Sequence, residues 1–100
     1  MTVFAIEYQY KADNELITNI RPEHRKFLAG LKDEGKLIGS GPFTDGDGGA
    51  LIIIQLADSA TLTDATAIMD NDPFYVGGAL DGRVFHTWNP VLNIFGYQAP

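Results

Sequence analysis

The residues best suited to proton transfer in this sequence are a histidine, His24 in the string RPEH, and an aspartate, Asp72 in the string MDNDPFYVGG. Histidine exchanges a proton near neutral pH, and a carboxylate within hydrogen-bond reach fixes its tautomer and stabilises the imidazolium. The pairing alone is weak, because a chain with two histidines and nine aspartates offers some such pair by chance. Asp72 nevertheless stands in an unusual place, directly before Pro73 and just past a helix-like stretch. A carboxylate at a helix C-terminus opposes the helix dipole, so it asks for a compensating cation, either protonated His24 or Arg83. The plainer reading is a pre-proline residue, extended and useful for turning out of a helix. For His24 the plainer reading is a core histidine on the apolar stripe of its helix, bonded to a nearby turn.

Composition narrows the rest. One hundred residues with 45% hydrophobic content make one small domain over 1–100, with a modest core that gains from a partner copy. A net charge of −6 argues against a broad basic surface for nucleic acid or an anionic membrane, and points to a small-molecule or protein partner. No cysteine is present, which removes thiol catalysis and thiolate zinc sites. A metal held by His24, His86 and Asp72 lacks any HxH or HExxH spacing. A calcium loop counted from Asp45 has Leu56 at its twelfth position instead of glutamate. No metal and no cofactor are therefore expected. No apolar run approaches the roughly 18 residues of a membrane span, and the first residues do not read as a leader, so a cytoplasmic location is expected.

The elements that must position these residues follow from periodicity. Val3–Tyr10 alternates, with Phe4, Ile6, Tyr8 and Tyr10 on one face, and predicts a strand. Lys11–Ile20 reads as polar and turn-rich, and Pro22 as the first residue of a helix that runs to about Glu34 and stops at Gly35. His24, Phe27, Leu28 and Leu31 share that helix's apolar face. Leu37–Phe43 is a second strand weakened by Gly39 and Gly41, and Ala50–Ala57 a third, joined by the TDGDGG turn. The third strand is apolar on both faces, so something must cover each side of the sheet. A second helix, capped by Ser59 or Thr61, runs through Asp70, and Arg83–Trp88 is the fourth strand. The tail of about 90–100, with the apolar string PVLNIFGY, is expected to pack on the domain or on a partner.

The order βαββαβ is the α+β ferredoxin-like plan: a four-stranded antiparallel sheet with both helices on one face. Tracing chain direction through it brings the start of the first helix and the end of the second to the same rim. His24 and Asp72 thus meet although 48 positions apart, joined by Tyr8, the Ser40-Gly41-Pro42 end of the second strand, and Arg83. Glycines 39 and 41 let a ligand or a backbone approach closely. The expected pocket is His24 and Asp72 as the catalytic pair, with Ser40, Gly41, Tyr8 and Arg83 as substrate contacts. Five basic residues, Arg21, Arg25, Lys26, Lys32 and Lys36, lie on or beside the first helix, while Asp58, Asp64, Asp70 and Asp72 flank or sit on the second. Attraction between adjacent helices, together with solvated faces, is the expected explanation. Arg21 can also steer an acidic ligand.

RPEH at the first helix, GKLIGSGP through the second strand and DNDPF after the second helix, in this order and spacing, resemble the YciI-like (YCII-related) family of the dimeric α+β barrel superfamily. The resemblance covers about Val3 to Trp88 and implies a homodimer with its sheets face to face. It also implies a pocket around a His and an Asp, here His24 and Asp72, with Ser40 as a third member. One relative is a dehydrochlorinase of a chlorinated hydroxylated aromatic, and the wider superfamily includes muconolactone isomerases. The implied function is a small dimeric enzyme of lyase, isomerase or hydrolase type acting on a small cyclic or aromatic acid-like substrate. The alternative is a non-catalytic ligand-binding or accessory domain in which the His/Asp pair is structural. The DGDGG turn and the tail depart from the family pattern.

Overall fold

A computed structural model describes residues 1–99 of the chain; Pro100, the last residue of the expected tail, lies outside the described residues. The elements are β1 (Thr2–Gln9), α1 (Glu15–Asp33), β2 (Leu37–Pro42), β3 (Ala50–Leu56), α2 (Leu62–Met69), α3 (Pro73–Val76) and β4 (Gly82–Trp88). The four strands form one antiparallel sheet in the order β2-β3-β1-β4, which is the ferredoxin-like arrangement. Phe4, Ile6 and Tyr8 of β1 and Ile52 and Ile54 of β3 are fully buried under the helices. The helix-facing side expected for the first strand is therefore realised, and Val3 on the opposite face is buried as well.

The first helix starts seven residues earlier than Pro22 implied. Asn14 caps it, its side chain accepting from the Leu16 N–H at 2.9 Å and donating to the Ala79 carbonyl at 3.3 Å. Pro22 sits inside α1 on an exposed position, where it removes one intrahelical bond. The buried stripe Ile17, His24, Leu28 and Leu31 carries the helix through it, so tertiary packing outweighs the local cost.

The segment after α2 also differs from expectation. Instead of a helix stop followed by extended chain, it contains the short helix α3, of which Asp72 is the N-cap with Pro73 in the first turn. α2 itself has Thr61 as its cap in a reciprocal capping box with Asp64. The loop before β3 needs glycine at Gly48, whose φ is +136° and where a Cβ would lie 2.3 Å from the Tyr10 carbonyl oxygen.

The sheet's second face is not covered by helices. Leu51 and Trp88 are exposed there, 40% and 42% respectively. The tail is held by its own polar contacts: the Asn93 side chain donates to the carbonyls of Pro90 and Tyr97 and accepts from the N–H groups of Phe95 and Tyr97. Its apolar side chains Val91, Leu92 and Ile94 point away from the domain and are exposed.

Candidate functional site

Asp72 is fully buried, and its carboxylate is surrounded by donors. The Tyr8 hydroxyl donates to Oδ2 at 2.8 Å, and the Phe74 backbone N–H donates to Oδ1 at 2.9 Å. His24 Nδ1 lies 2.9 Å from both oxygens. Three elements supply this arrangement: α1 brings His24, the N-terminus of α3 brings Asp72 and the Phe74 amide, and β1 brings Tyr8. The sequence builds it locally because a cap residue must aim its side chain back at the first N–H groups of its helix. That puts a carboxylate, already held by one amide, beside the buried stripe of α1.

A carboxylate of this kind only accepts, so the proton shared with His24 sits on Nδ1. The ring is held flat on Phe74, with centroids 3.8 Å apart and planes 12° from parallel. Nε2 is then the nitrogen with the free lone pair. It makes no hydrogen bond, and among the described residues the buried side-chain nitrogens and oxygens without a partner comprise only Arg83 Nη1. Nε2 therefore reaches accessible space. His24 lines a cleft of about 130 Å³ together with Arg21, Arg25, Ser40, Gly41 and Phe74. This matches the scale of a single ring, since an apolar cavity of roughly 150 Å³ takes benzene.

The expected residues divide into two groups. His24 and Asp72 meet, and Ser40 and Gly41 line the same cleft as the histidine. Tyr8 and Arg83 do not line the cleft. Tyr8 is completely buried behind the carboxylate, and burial together with the neighbouring Asp72 pushes its phenol well above the usual range. Its hydroxyl is engaged with Asp72, and the pleat of β1 turns it under the helices, in keeping with the core position that its place on the apolar face of β1 suggests. Arg83 donates through Nη2 to Asp70 at 2.7 Å and lies over the Tyr75 ring at 3.5 Å. Asp70 is thus bound by Arg83, although its place at the end of α2 reads as that of an ordinary surface acid.

The basic face of α1 also needs correcting. Among the described residues Arg21 and Arg25 form no ion pair, and the acids of α2 do not reach them. Both arginines line the cleft instead. Arg25 is a cleft-lining residue absent from the expected pocket. The available clue was its spacing: Arg21, His24, Arg25 and Leu28 stand at i, i+3, i+4 and i+7 on one helical face. His86 belongs to the other side of the sheet. Its neighbour Phe85 pairs with the buried Ile6, whereas His86 pairs with Ala5, so it cannot join His24 in one site. Among the described residues no group of three or more His, Cys, Asp or Glu side chains could hold a metal ion, and no helix is long and apolar enough to cross a membrane.

Among solved structures the chain is similar to the 5-chloro-2-hydroxyhydroquinone dehydrochlorinase of Burkholderia phenoliruptrix in complex with 2,5-dihydroxybenzoquinone. The TM-score is 0.71 at 21% identity, over 87% of this chain and 93% of that one. It is also similar to an antibiotic biosynthesis monooxygenase, with a TM-score of 0.58 at 14% identity over 89% of this chain and 97% of the other. Both are dimeric α+β barrel folds, and at these identities the likeness concerns the fold. No curated protein sequence matches the chain significantly. The description "YCII-related domain" matches residues 1–89, which take in all four strands, the three helices and every side chain of the His24–Asp72 cluster. The chain therefore belongs to the YCII-related domain family.

Proposed function

We propose that the chain is a small enzyme that moves a proton on a one-ring, hydroxylated or acid-like substrate, with His24 as the proton-transfer group. The observation that carries this reading is the asymmetry of the imidazole: Nδ1 is committed to a buried carboxylate, while Nε2 has no partner among the described residues and the histidine lines a cleft of about 130 Å³. Nε2 takes a proton from a C–H or O–H of the substrate, and the imidazolium formed is stabilised by Asp72. Returning that proton at another position gives isomerase chemistry, and giving it to a group that leaves as its bond to the ring breaks gives lyase chemistry; hydrolase chemistry follows when the proton is taken instead from a water whose oxygen adds to the substrate. Ser40 is positioned to bind a substrate oxygen. Arg21 and Arg25, which form no ion pair among the described residues of a chain with net charge −6, favour an anionic substituent. The dehydrochlorinase with its bound dihydroxybenzoquinone supports a ring of this class.

The test is a panel of 2,5-dihydroxybenzoquinone, one-ring carboxylates and their neutral analogues, followed by the His24 ring signals in NMR. Binding by the anionic members, weakened roughly tenfold by Arg21→Gln, is expected, since one lost charge-assisted contact amounts to about that factor. Equal affinity for charged and neutral rings, or no effect of Arg21→Gln, removes the arginines from the reading.

A second reading draws on the burial of the pair. His24 and Asp72 link α1 to α3, and a purely structural fastener in a ligand-binding domain would need the same contacts. The two readings part on the behaviour of a His24 variant, treated in the Discussion.

The same proposal includes self-association through the open face of the sheet. Leu51 and Trp88 are exposed there, and Ile53 and Val84 only partly covered. A second copy packed sheet to sheet would bury them, and the tail side chains Val91, Leu92 and Ile94 would reach that copy. Sedimentation equilibrium is expected to give twice the chain mass, shifted toward the monomer by Leu51→Glu. A monomer at all concentrations refutes the arrangement.

A further inference from the structure

We infer that Arg83, outside the cleft, is a positioning residue that sets the Asp72 carboxylate and, through it, the His24 ring. The segment 70–75 carries Asp72, and Arg83 grips that segment on both sides of it. Upstream, Arg83 Nη2 donates to Asp70 Oδ1 at 2.7 Å; downstream, the guanidinium lies 3.5 Å over the Tyr75 ring. The grip is anchored to the sheet, since Arg83 is on β4 directly opposite Tyr8 of β1. Tyr8 is the residue whose hydroxyl donates to Asp72. The positive charge of Arg83 bears on the same phenol and offsets part of the rise that burial and Asp72 impose. One arginine thus holds the segment that carries the carboxylate and faces the donor that orients it.

Two features set this apart from ordinary surface pairing. The Arg83 side chain is only 11% exposed, and its Nη1 is buried with no acceptor, an arrangement that costs stability and is tolerated mainly where a site needs it. A planar guanidinium is also required, because only it can stack on a ring while donating along its edge. Lysine cannot reproduce both.

The inference rests on the proposed function only for its catalytic consequence, so its test avoids turnover. In the whole chain, Arg83→Met is compared with Arg83→Lys by NMR of the His24 ring, with His86 as an internal reference. The expected result for Arg83→Met is exchange of the His24 Nδ1–H with solvent faster by roughly tenfold, as expected when local opening becomes easier. Its ring nitrogens should shift toward a mixture of tautomers, with Arg83→Lys intermediate and His86 unchanged. A merely structural arginine would lower the melting temperature without changing His24 selectively. A folded Arg83→Met protein with His24 signals like those of the parent overturns the inference. Should Arg83→Met not fold, Asp70→Asn loosens the exposed end of the grip and carries the same readout. Unchanged His24 signals there overturn it equally. Absence of turnover on every substrate would sink the enzyme reading and leave this result standing.

Discussion

Substituting His24→Ala is expected to lower kcat by roughly two to four orders of magnitude on the ring substrate identified by the panel, the usual contribution of a positioned acid or base. The loss should fall on kcat far more than on KM, because Arg21, Arg25, Ser40 and the cleft walls remain. The fold should survive. Without the imidazole, Asp72 still accepts from the Tyr8 hydroxyl and the Phe74 N–H, so the carboxylate is not left bare. The lost contact and the vacated stack on Phe74 are expected to cost about 1–3 kcal/mol, read as a lowered melting temperature. Full retained turnover in a folded variant would exclude His24 as the proton-transfer group. A stability loss without any parent activity to lose, across the whole panel, would favour the fastener reading.

Much of the architecture that matters to this experiment is visible in the sequence. The period-2 pattern in Val3–Tyr10 identifies which residues of β1 face the helices, and Phe4, Ile6 and Tyr8 are all buried. Chain direction alone brings His24 and Asp72 to one rim, and the observed 2.9 Å contacts follow from that topology. The start of α1 is misread because proline is so well suited to a first helical turn that Pro22 overrides the cap two turns earlier. The string DNEL holds that cap, and the stripe from Ile17 to Leu31 supplies enough burial to tolerate a proline on the wet side. Helix α3 is missed for a related reason: DPF contains a cap and a first-turn proline, but four residues are too few to show a helical period.

The site is legible in its pair and opaque in its supports. Asp72 reads from sequence as a carboxylate at the unfavourable end of one helix, in need of a cation. Its actual position is the favourable end of the next helix, where an N–H already satisfies it. Arg83 is therefore free for Asp70, and Tyr8 supplies the remaining donor. These are contacts between side chains far apart in sequence, which no local pattern encodes. Arg25 is different: its helical spacing from Arg21 and Leu28 is plain, and it is hidden only by the ease with which exposed arginines are assigned to solvent.

Asp72→Ala is expected to be the most destabilising single substitution in the site. It leaves the His24 Nδ1–H, the Tyr8 hydroxyl and the Phe74 N–H without their acceptor in a buried pocket, and it removes a helix cap. A cost of about 3 kcal/mol or more is expected, because each orphaned donor loses its solvation without recompense. In a chain of this size that corresponds to a melting temperature lowered by roughly 12 to 24 °C. Tyr8→Phe separates the components. It removes one donor and leaves the cap, so its cost near neutral pH is smaller, but it changes the pH dependence in a defined direction. The folded phenol titrates above its unfolded value of roughly 10. Its contribution is therefore fully present below pH 10 and lost as pH rises toward the folded value, since the unfolded chain releases the proton first. Chemical denaturation should show a decline in parent stability above pH 10 that is shallower in Tyr8→Phe. An equal decline in both proteins would mean that the phenol is not held by burial and Asp72 as the geometry requires. A loss near 1 kcal/mol for Asp72→Ala would mean that water or a shifted side chain replaces the carboxylate, and that the pair's rigidity does not originate in Asp72.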